Sequence, residues 1–345
     1  MKEQDGWDSL IKTEIERFLA RYQALEIAVR DQRLCAHVPY MMGSVTWVDQ
    51  PETLARQRPR HQARLRRVAQ ARRKAPPALQ AFFHRWFSAP DGTEPLVAAG
   101  RSGPEEIRQL LQAAVDVELV PTDQGRLTGM ALRAWLQRYG IGVDCSGFVQ
   151  HTLSYLLQAG YAALGKTPGN PQETELGWMR GVSVHRKLVH NDEDRRFDII
   201  ATPAEARPAD ILVSPGHTRL IVDAQRTPDQ ALLVTLAEST SITDLVAGSH
   251  FLPDVGPRLY HVLYTHPDRP IQDQLPLHKR TSEAAYEFEP SEWEQQFLLA
   301  RNRKLEALQR KHQPPTGQPI LHPPAPPKNP VHPANPVYPV KKEPQ

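Results

Sequence analysis

Apolar residues in the first half of the chain recur mostly at intervals of three and four, which predicts helices. Four such stretches precede residue 140, at residues 52–74, 78–87, 104–119 and 127–138. A longer amphipathic pattern covers roughly residues 8–31 and predicts a helix at the N-terminus. We therefore expect the first part of the chain to be mostly helical.

A different pattern, short apolar runs separated by turn residues, follows residue 210. Residues 218–224 and 231–237 are apolar and rich in β-formers, and the turn-forming residues 225–230 separate them. Together they predict an antiparallel hairpin. Residues 258–265 show an alternating pattern that predicts a further strand. Helices followed by antiparallel strands predict an α+β fold.

The C-terminal part combines a predicted helix with a proline-rich tail. Residues 291–294 read Ser-Glu-Trp-Glu, a capping box that predicts a helix to about residue 312. More than a third of residues 313–345 are proline, which predicts a disordered, extended tail. We expect the tail to act as a tether or to bind the aromatic groove of a protein partner.

The most informative stretch for chemistry is residues 142–150, Gly-Val-Asp-Cys-Ser-Gly-Phe-Val-Gln, where a loop turns into an apolar helix. A helix start favours an anion, which makes Cys145 a candidate nucleophilic thiolate. A buried structural cysteine is the alternative, and the polar neighbours Asp144 and Ser146 argue against it. The chain has only two cysteines, so a disulfide framework is not expected, and Cys35 is predicted to be a small buried hydrophobe.

His217 is the predicted base for this thiol because it opens the apolar run 218–224, and a strand start holds an imidazole rigidly. A third group must accept the other N–H of the ring. A hairpin folded at the middle of residues 225–230 pairs residues whose numbers sum to about 455, which sets Glu238 opposite His217. A register shift of one residue would bring Ser239 there instead.

These motifs resemble a known family. Residues 144–149, Asp-Cys-Ser-Gly-Phe-Val, resemble the nucleophile motif of the NlpC/P60 cysteine peptidases, papain-like cell-wall hydrolases that cut peptidoglycan stem peptides. Residues 207–213 resemble the family's Pro-Gly-Asp-Leu element, with Ala209 where glycine is usual. Residues 216–222 are similar to its His-Val-Gly-Ile strand, although Thr-Arg follows the histidine here. The resemblance covers roughly residues 140–265.

The resemblance implies a papain-like core, in which the helix that carries Cys145 packs on an antiparallel sheet that carries His217. In the related CHAP amidases a glutamate is the third catalytic residue, which is the part that Glu238 would have here. The resemblance also implies that Asp144 and Ser146 contact the free amine of a substrate.

A tyrosine of the family's Pro-Tyr-x-x-Gly element contacts the same amine. Residues 38–43, Val-Pro-Tyr-Met-Met-Gly, have this form, so the resemblance makes Tyr40 a further substrate-binding candidate. The element comes about a hundred residues earlier than in the family, and we interpret it as separated from the core by a large helical insertion. A half-buried aromatic anchor is the alternative for Tyr40.

Four segments follow from these patterns. Residues 8–50 are predicted to form the N-terminal helix and a possible substrate-pocket element, and residues 51–139 a mostly helical insertion. Residues 140–312 are predicted to form the catalytic core with its C-terminal helix, and residues 313–345 the tail. Within the core, residues 165–205 predict an irregular segment at the edge of the cleft.

Charge and composition limit the partners. The net charge is only +3, but residues 56–74 carry many arginines and no acidic residue, which predicts either contact with a polyanion or a solvated helix face. No run is long enough to span a bilayer and no secretory signal precedes the first helix, so a cytoplasmic or non-classically exported protein is expected. No metal-ligand spacing or phosphate-binding glycine loop occurs, and we expect no cofactor.

The predicted function is a cysteine hydrolase that cleaves an amide bond through a thioester, in peptidoglycan stem peptides. Two alternatives remain open at this point. The same nucleophile would also serve a papain-like deamidase, acyltransferase or effector peptidase with a substrate outside the cell wall. A non-catalytic adaptor would instead use the basic helix and the proline-rich tail.

Overall fold

The computed structural model describes residues 2–30, 32–41, 51–87, 100–122, 125–167, 184–189, 196–240, 256–274, 276–279, 286–288 and 297–312. Residues 1–312 form one compact unit. The predicted proline-rich tail, residues 313–345, lies outside the described residues.

Helices occupy most of the first half of the chain, as the three- and four-residue periodicity predicts. The described helices are α1 (Lys2–Gln23), α2 (Pro51–Lys74), α3 (Pro77–Phe87), α4 (Pro104–Asp116), α5 (Gly129–Tyr139), α6 (Cys145–Ala163), α7 (Val184–Val189) and α8 (Arg303–His312). The four helices expected within the insertion, α2 to α5, are confirmed.

The predicted N-terminal helix over residues 8–31 is wrong in its second half. Helix α1 ends at Gln23, and a two-stranded hairpin follows, made of β1 (Leu25–Val29) and β2 (Gln32–Ala36). In β1, Leu25 and Ile27 are buried while the residues between them are exposed. This period of two is typical of a strand with one buried face.

The remaining strands form a single antiparallel sheet. They are β3 (Phe197–Ile200), β4 (Ile211–Ser214), β5 (His217–Arg226), β6 (Leu232–Thr240), β7 (Gly256–Tyr264), β8 (Leu277–Lys279), β9 (Tyr286–Phe288) and β10 (Leu298–Asn302). Their order is β3-β10-β4-β5-β6-β7-β8-β9. Every neighbouring pair is antiparallel, so the α+β class is confirmed.

The C-terminal helix is shorter than predicted. The capping box at residues 291–294 lies outside the described residues, and residues 298–302 form β10 instead of continuing a helix. Helix α8 begins at Arg303, where the Asn302 Oδ1 atom accepts the N–H groups of Lys304 and Leu305 at 3.0 and 3.2 Å. The segment predicted as irregular, 165–205, contains α7 and β3 in its described part.

The large sheet has a hydrophobic cluster on each face. On the helical side, residues of α1, α3, α4, α5, α6 and α8 join residues of β4 and β5 in one cluster. Alternate strand residues such as Leu212, Ile221 and Leu236 belong to a second cluster on the opposite face. The segments predicted as 8–50, 51–139 and 140–312 thus share a hydrophobic core. Helix α6, in that shared core, packs directly against β5 and β6.

Candidate active site

Cys145 is the first residue of α6, where the sequence predicts a nucleophile. Asp144 is the N-cap of the helix, with extended backbone angles, and its Oδ1 atom accepts the N–H of Gly147 at 2.6 Å. Ser146 donates its hydroxyl to the same oxygen at 3.1 Å. An aspartate at this position stabilises the helix start, which is why the helix begins at the cysteine.

His217 is the first residue of β5 and lies beside Cys145. A tight turn through Pro215 and Gly216 precedes it, in which Ser214 pairs with His217 and Gly216 has φ +82°. The Cys145 side chain lies close enough to the His217 imidazole to raise the pKa of the imidazole. Cys145 is 4% exposed, whereas 21% of the His217 side chain is exposed, so the imidazole is the more accessible member of the pair.

Glu238 completes a row of three side chains. The Nε2 atom of His217 donates a hydrogen bond to Oε2 of Glu238, at 2.6 Å. Because Nε2 is occupied in this way, Nδ1 is the ring nitrogen left for the Cys145 thiol. The structure therefore brings together the three residues predicted as catalytic from sequence.

The predicted strand register is wrong by two residues at this point, yet Glu238 still reaches His217. Leu220 pairs with Ala237, and continuing the same ladder sets Glu238 opposite Arg219, with His217 on the diagonal. A shift of two residues preserves the face on which each side chain lies, whereas a shift of one would have reversed it. Ser239 instead donates its hydroxyl to the backbone oxygen of Val143 at 2.7 Å.

Two arginines that sequence reasoning missed also bind Glu238. Arg258, directly opposite Glu238 on β7, donates from Nε and Nη2 to Oε1 at 3.1 and 2.9 Å. Arg219 Nε lies 3.5 Å from Oε2, the oxygen that His217 also binds. Both arginines are on predicted strands, but only the pairing of β6 with both neighbouring strands reveals that they meet one carboxylate.

These charged groups determine the protonation states of Glu238 and His217. Burial by itself raises the pKa of Glu238, but His217, Arg219 and Arg258 outweigh it and lower that pKa to about 2. Burial and Arg219 lower the pKa of His217, but Cys145 and Glu238 more than offset them, so that pKa is raised. Glu238 is consequently a permanent carboxylate at neutral pH, and it favours a protonated His217.

Comparison with protein-family models, with curated proteins and with solved structures gave no match for this chain. Nothing in those comparisons bears on the resemblance to NlpC/P60 peptidases. It therefore remains a resemblance of four short motifs, and the family assignment remains a prediction.

Asp144 and Ser146, predicted to contact a substrate amine, lie inside the protein. The Asp144 side chain is fully buried, and its Oδ2 atom lies 3.3 Å from Nε of Arg101. Burial raises the pKa of Asp144, although Arg101 and the groups that bind Oδ1 oppose the rise. A substrate amine would have to displace Arg101 to pair with this carboxylate. Contact of Asp144 and Ser146 with substrate stays a prediction.

Tyr40 pairs with Val143, two residues before Cys145, although about a hundred residues separate them in the chain. Tyr40 and Val143 form a parallel bridge, in which Met41 N–H donates to Val143 oxygen at 3.3 Å and Val143 N–H to Pro39 oxygen at 3.2 Å. Gly142 permits this approach, since a Cβ there would come within 2.3 Å of the Pro39 oxygen. Tyr40 is buried. The end of its motif, at residue 43, lies outside the described residues. Contact of Tyr40 with a substrate stays a prediction.

A short segment of the predicted insertion crosses the start of α6, and we name residues 100–103 the insertion strap. The Asp144 N–H donates to the Gly100 oxygen at 2.9 Å, and Arg101 forms a bridge with Val143. On the other side, His151 Nε2 donates to the Arg101 oxygen at 2.6 Å. The strap thus supplies Arg101 to the site, a residue that the resemblance did not indicate.

Two further predictions concern residues outside this row. Cys35 is exposed, contrary to the expected buried hydrophobe, because Leu34 and Ala36 turn inward and leave Cys35 on the outer face of β2. Both cysteines are free.

In the described part of the chain, no group of three or more His, Cys, Asp or Glu residues could hold a metal ion. The same residues include no helix that is long and apolar enough to cross a membrane.

The basic helix α2 presents most of its described cations to solvent. Arg64 is the exception: it is buried against Gly140, whose Cβ would come within 1.7 Å of the Arg64 Cδ atom, and burial lowers its pKa to about 10. The exposed members are Arg66, Arg67, Arg72, Arg73 and Lys74. Contact of this helix with a polyanion stays a prediction.

Proposed function

We propose that this chain is a papain-like cysteine hydrolase of the NlpC/P60 type, which cleaves an amide bond in peptidoglycan stem peptides. One observation carries the proposal: Cys145, the first residue of α6, lies beside His217, whose Nε2 atom is bound by Glu238. A nucleophile, a base and an orienting group in one row are the requirements for acyl transfer by a thiol.

The reaction follows from the arrangement of these three side chains. Nδ1 of His217 takes the proton from Cys145, and the thiolate attacks the carbonyl carbon of the amide. The tetrahedral intermediate collapses with cleavage of the C–N bond, and the imidazolium gives its proton to the leaving amine. His217 then removes a proton from water, which attacks the thioester and releases the acid and the free thiol.

The helix start supplies donors for the oxyanion. The Gly147 N–H is bound by Asp144 Oδ1 and the Phe148 N–H by the Asp144 carbonyl, at 2.6 and 2.9 Å. The backbone amides of Cys145 and Ser146 precede both bonds, and neither bond uses them. These two amides, at the positive end of α6, are suited to bind the negative oxygen of the tetrahedral intermediate.

The choice of a cell-wall substrate is supported by motif resemblance alone, and one observation favours another amide. Arg101 already pairs with the buried carboxylate of Asp144, where the resemblance would put a substrate amine. A deamidase, acyltransferase or peptidase whose substrate lacks a free amine next to the scissile bond would be compatible with that pairing. This second candidate uses the same nucleophile and the same row.

Digestion of isolated cell walls tests the proposal. Purified protein is incubated with peptidoglycan, and released peptides are detected by mass spectrometry; the matched control is Cys145→Ala, with Cys35→Ser as a second variant that removes the exposed thiol. We expect release by the wild type and by Cys35→Ser, and none by Cys145→Ala. Equal release by Cys145→Ala would overturn the mechanism, and no release by any form would overturn the wall substrate.

A further inference from the structure

One carboxylate, that of Glu238, is held by cations from both neighbouring strands. Arg258 on β7 binds Oε1 through two nitrogens of its guanidinium, and His217 on β5 binds Oε2. The Glu238 side chain is only 2% exposed, so water contributes little to its solvation. Each oxygen therefore depends on a protein donor of its own.

Arg258 is itself fixed in place. It lies directly across the ladder from Glu238, and its guanidinium carbon is 5.5 Å from the centre of the Tyr260 ring on the same strand. Two N–H groups on one oxygen define the direction from which the planar guanidinium approaches. Rotation of the Glu238 carboxylate would break these bonds, so Arg258 holds Oε2 in the orientation that meets His217.

Arg219 is the reason why the binding of Oε1 by Arg258 is needed. Its Nε atom is 3.5 Å from Oε2, the same oxygen that accepts the His217 hydrogen bond at 2.6 Å. Without Arg258 on Oε1, the carboxylate would be free to turn its charge towards Arg219 and away from the imidazole. His217 would then lose the bond that leaves its Nδ1 atom for the Cys145 thiol.

We propose that Arg258 is a positioning residue for His217, which acts through Glu238 by binding Oε1 and thereby fixing Oε2. The inference rests on the proposed function, because it concerns how the same thiol is activated. Arg258 binds the carboxylate on the side away from the imidazole, and its contribution is to the geometry of the Cys145–His217 pair.

The charged groups that face His217 come from three elements. Cys145 and its N-cap Asp144 belong to α6 and the residue before it, Arg219 to β5, and Glu238 to β6. A change of pH profile in an Arg258 variant must therefore be compared with changes at these groups. A variant of Glu238 provides that comparison directly, because Arg258 acts through this residue alone in the proposal.

The rate at which iodoacetamide alkylates Cys145 measures how strongly His217 activates this thiol, and no substrate is needed. All variants carry Cys35→Ser, because Cys35 is exposed and would also react. The rate is followed across pH for the parent, Arg258→Gln, Arg258→Lys and Arg226→Gln. Arg226 is a matched control, an arginine of β5 whose 2.6 Å ion pair with Asp268 is on the surface.

We expect Arg258→Gln to slow alkylation at neutral pH about tenfold or more, since a small displacement of the pair is costly. Arg258→Lys keeps the charge but not the two-nitrogen fork, so an intermediate rate is expected, while Arg226→Gln keeps the parent rate. If Arg258→Gln does not fold, Arg258→Lys provides the test. A parent-like rate and pH profile in a folded Arg258 variant would overturn the proposal.

A double-mutant cycle with Glu238→Gln separates positioning from a general structural role. If Arg258 acts through Glu238, the Arg258 substitution changes the alkylation rate little once Glu238→Gln is present. An equal loss in both backgrounds would contradict the proposal. Failure of the proposed function has a different signature: a parent Cys145 that reacts no faster than a free thiol, or cell walls that release no peptide.

Discussion

His217 and Glu238 meet across a diagonal of the β5–β6 ladder, with 2.6 Å between Nε2 and Oε2. Continuing the ladder from the Leu220–Ala237 pair sets Arg219 on β5 directly opposite Glu238. On the other side, Arg258 of β7 is directly opposite Glu238. The carboxylate thus lies between two arginines while it holds the imidazole. Its charge and its orientation are separately testable.

The first prediction concerns the charge of Glu238. In Glu238→Gln the pKa of His217 falls, because the carboxylate that raises it is gone while burial and Arg219 still lower it. Alkylation of Cys145 at neutral pH should slow by roughly 10²-fold, the lower range for a misplaced general base. An NMR titration of the His217 ring measures the pKa. Glu105→Gln, in a surface pair with Arg108, is the control, and an unchanged midpoint in Glu238→Gln contradicts the assignment.

Acid stability should also depend on Glu238. Folding lowers the pKa of this residue from 4.5 to about 2, so the folded state binds its proton more weakly than the unfolded state does. The resulting stabilisation is fully present above pH 4.5 and is lost as the pH falls towards 2. At 1.36 kcal/mol per pH unit it amounts to roughly 3 kcal/mol.

Urea unfolding at several pH values between 6 and 2 measures this contribution. The free energy of unfolding of the wild type should decline more steeply below pH 4.5 than that of Glu238→Gln, which has no carboxylate to protonate at this position. Parallel declines in the two proteins would show that Glu238 is not ionised by its neighbours in the folded state.

Ala209 should gain stability when it is changed to glycine. Its φ is +71°, in the left-handed region that costs a residue with a Cβ roughly 1–2 kcal/mol. Ala209→Gly removes this cost but adds freedom to the unfolded chain, so we expect a net gain of about 0.5–1 kcal/mol. Ala206→Gly is the matched control, with φ −60°, and should lose stability. Thermal unfolding of both variants checks the opposite signs.

Gly142 should not tolerate a side chain. A Cβ at this position would lie 2.3 Å from the Pro39 oxygen and 2.9 Å from Met41 Cβ, and would force the segment that carries Tyr40 away from Val143. We expect Gly142→Ala to destabilise the fold by about 1–3 kcal/mol, as overpacking does. Gly6→Ala, with open space around it in α1, should be neutral or stabilising. A stable Gly142→Ala protein would contradict the close approach.

Local pattern predicted the elements around the site because the relevant signals are short-range. The periodic apolar residues after Cys145 are sufficient to predict α6, and the two apolar, β-rich runs on either side of a turn are sufficient to predict β5 and β6. The pairing of His217 with Glu238 was found despite a register error of two residues. At the hairpin loop Arg226 pairs with Leu232, three residues from the predicted register, because the turn lies later in the chain than expected; a β-bulge between Ile221 and Asp223 then reduces the error to two.

What the sequence did not predict depends on contacts between distant segments. Arg101 meets Asp144 only because the insertion strap crosses α6, and Arg258 meets Glu238 only because β7 pairs with β6 in one register. Residues 298–302 form a strand because their backbone pairs with β3 on one side and with β4 on the other. Such tertiary context overrides local propensity.

The insertion strap has a consequence for any attempt to shorten the chain. Deletion of residues 51–139 would remove Arg101 and the Gly100 carbonyl together, and would leave the buried Asp144 without its counter-charge at the point where the nucleophile's helix begins. An uncompensated buried carboxylate is strongly destabilising. Residues 100–103 therefore stabilise the start of α6, and a shortened chain would need another cation beside Asp144 before the reactivity of Cys145 could be measured.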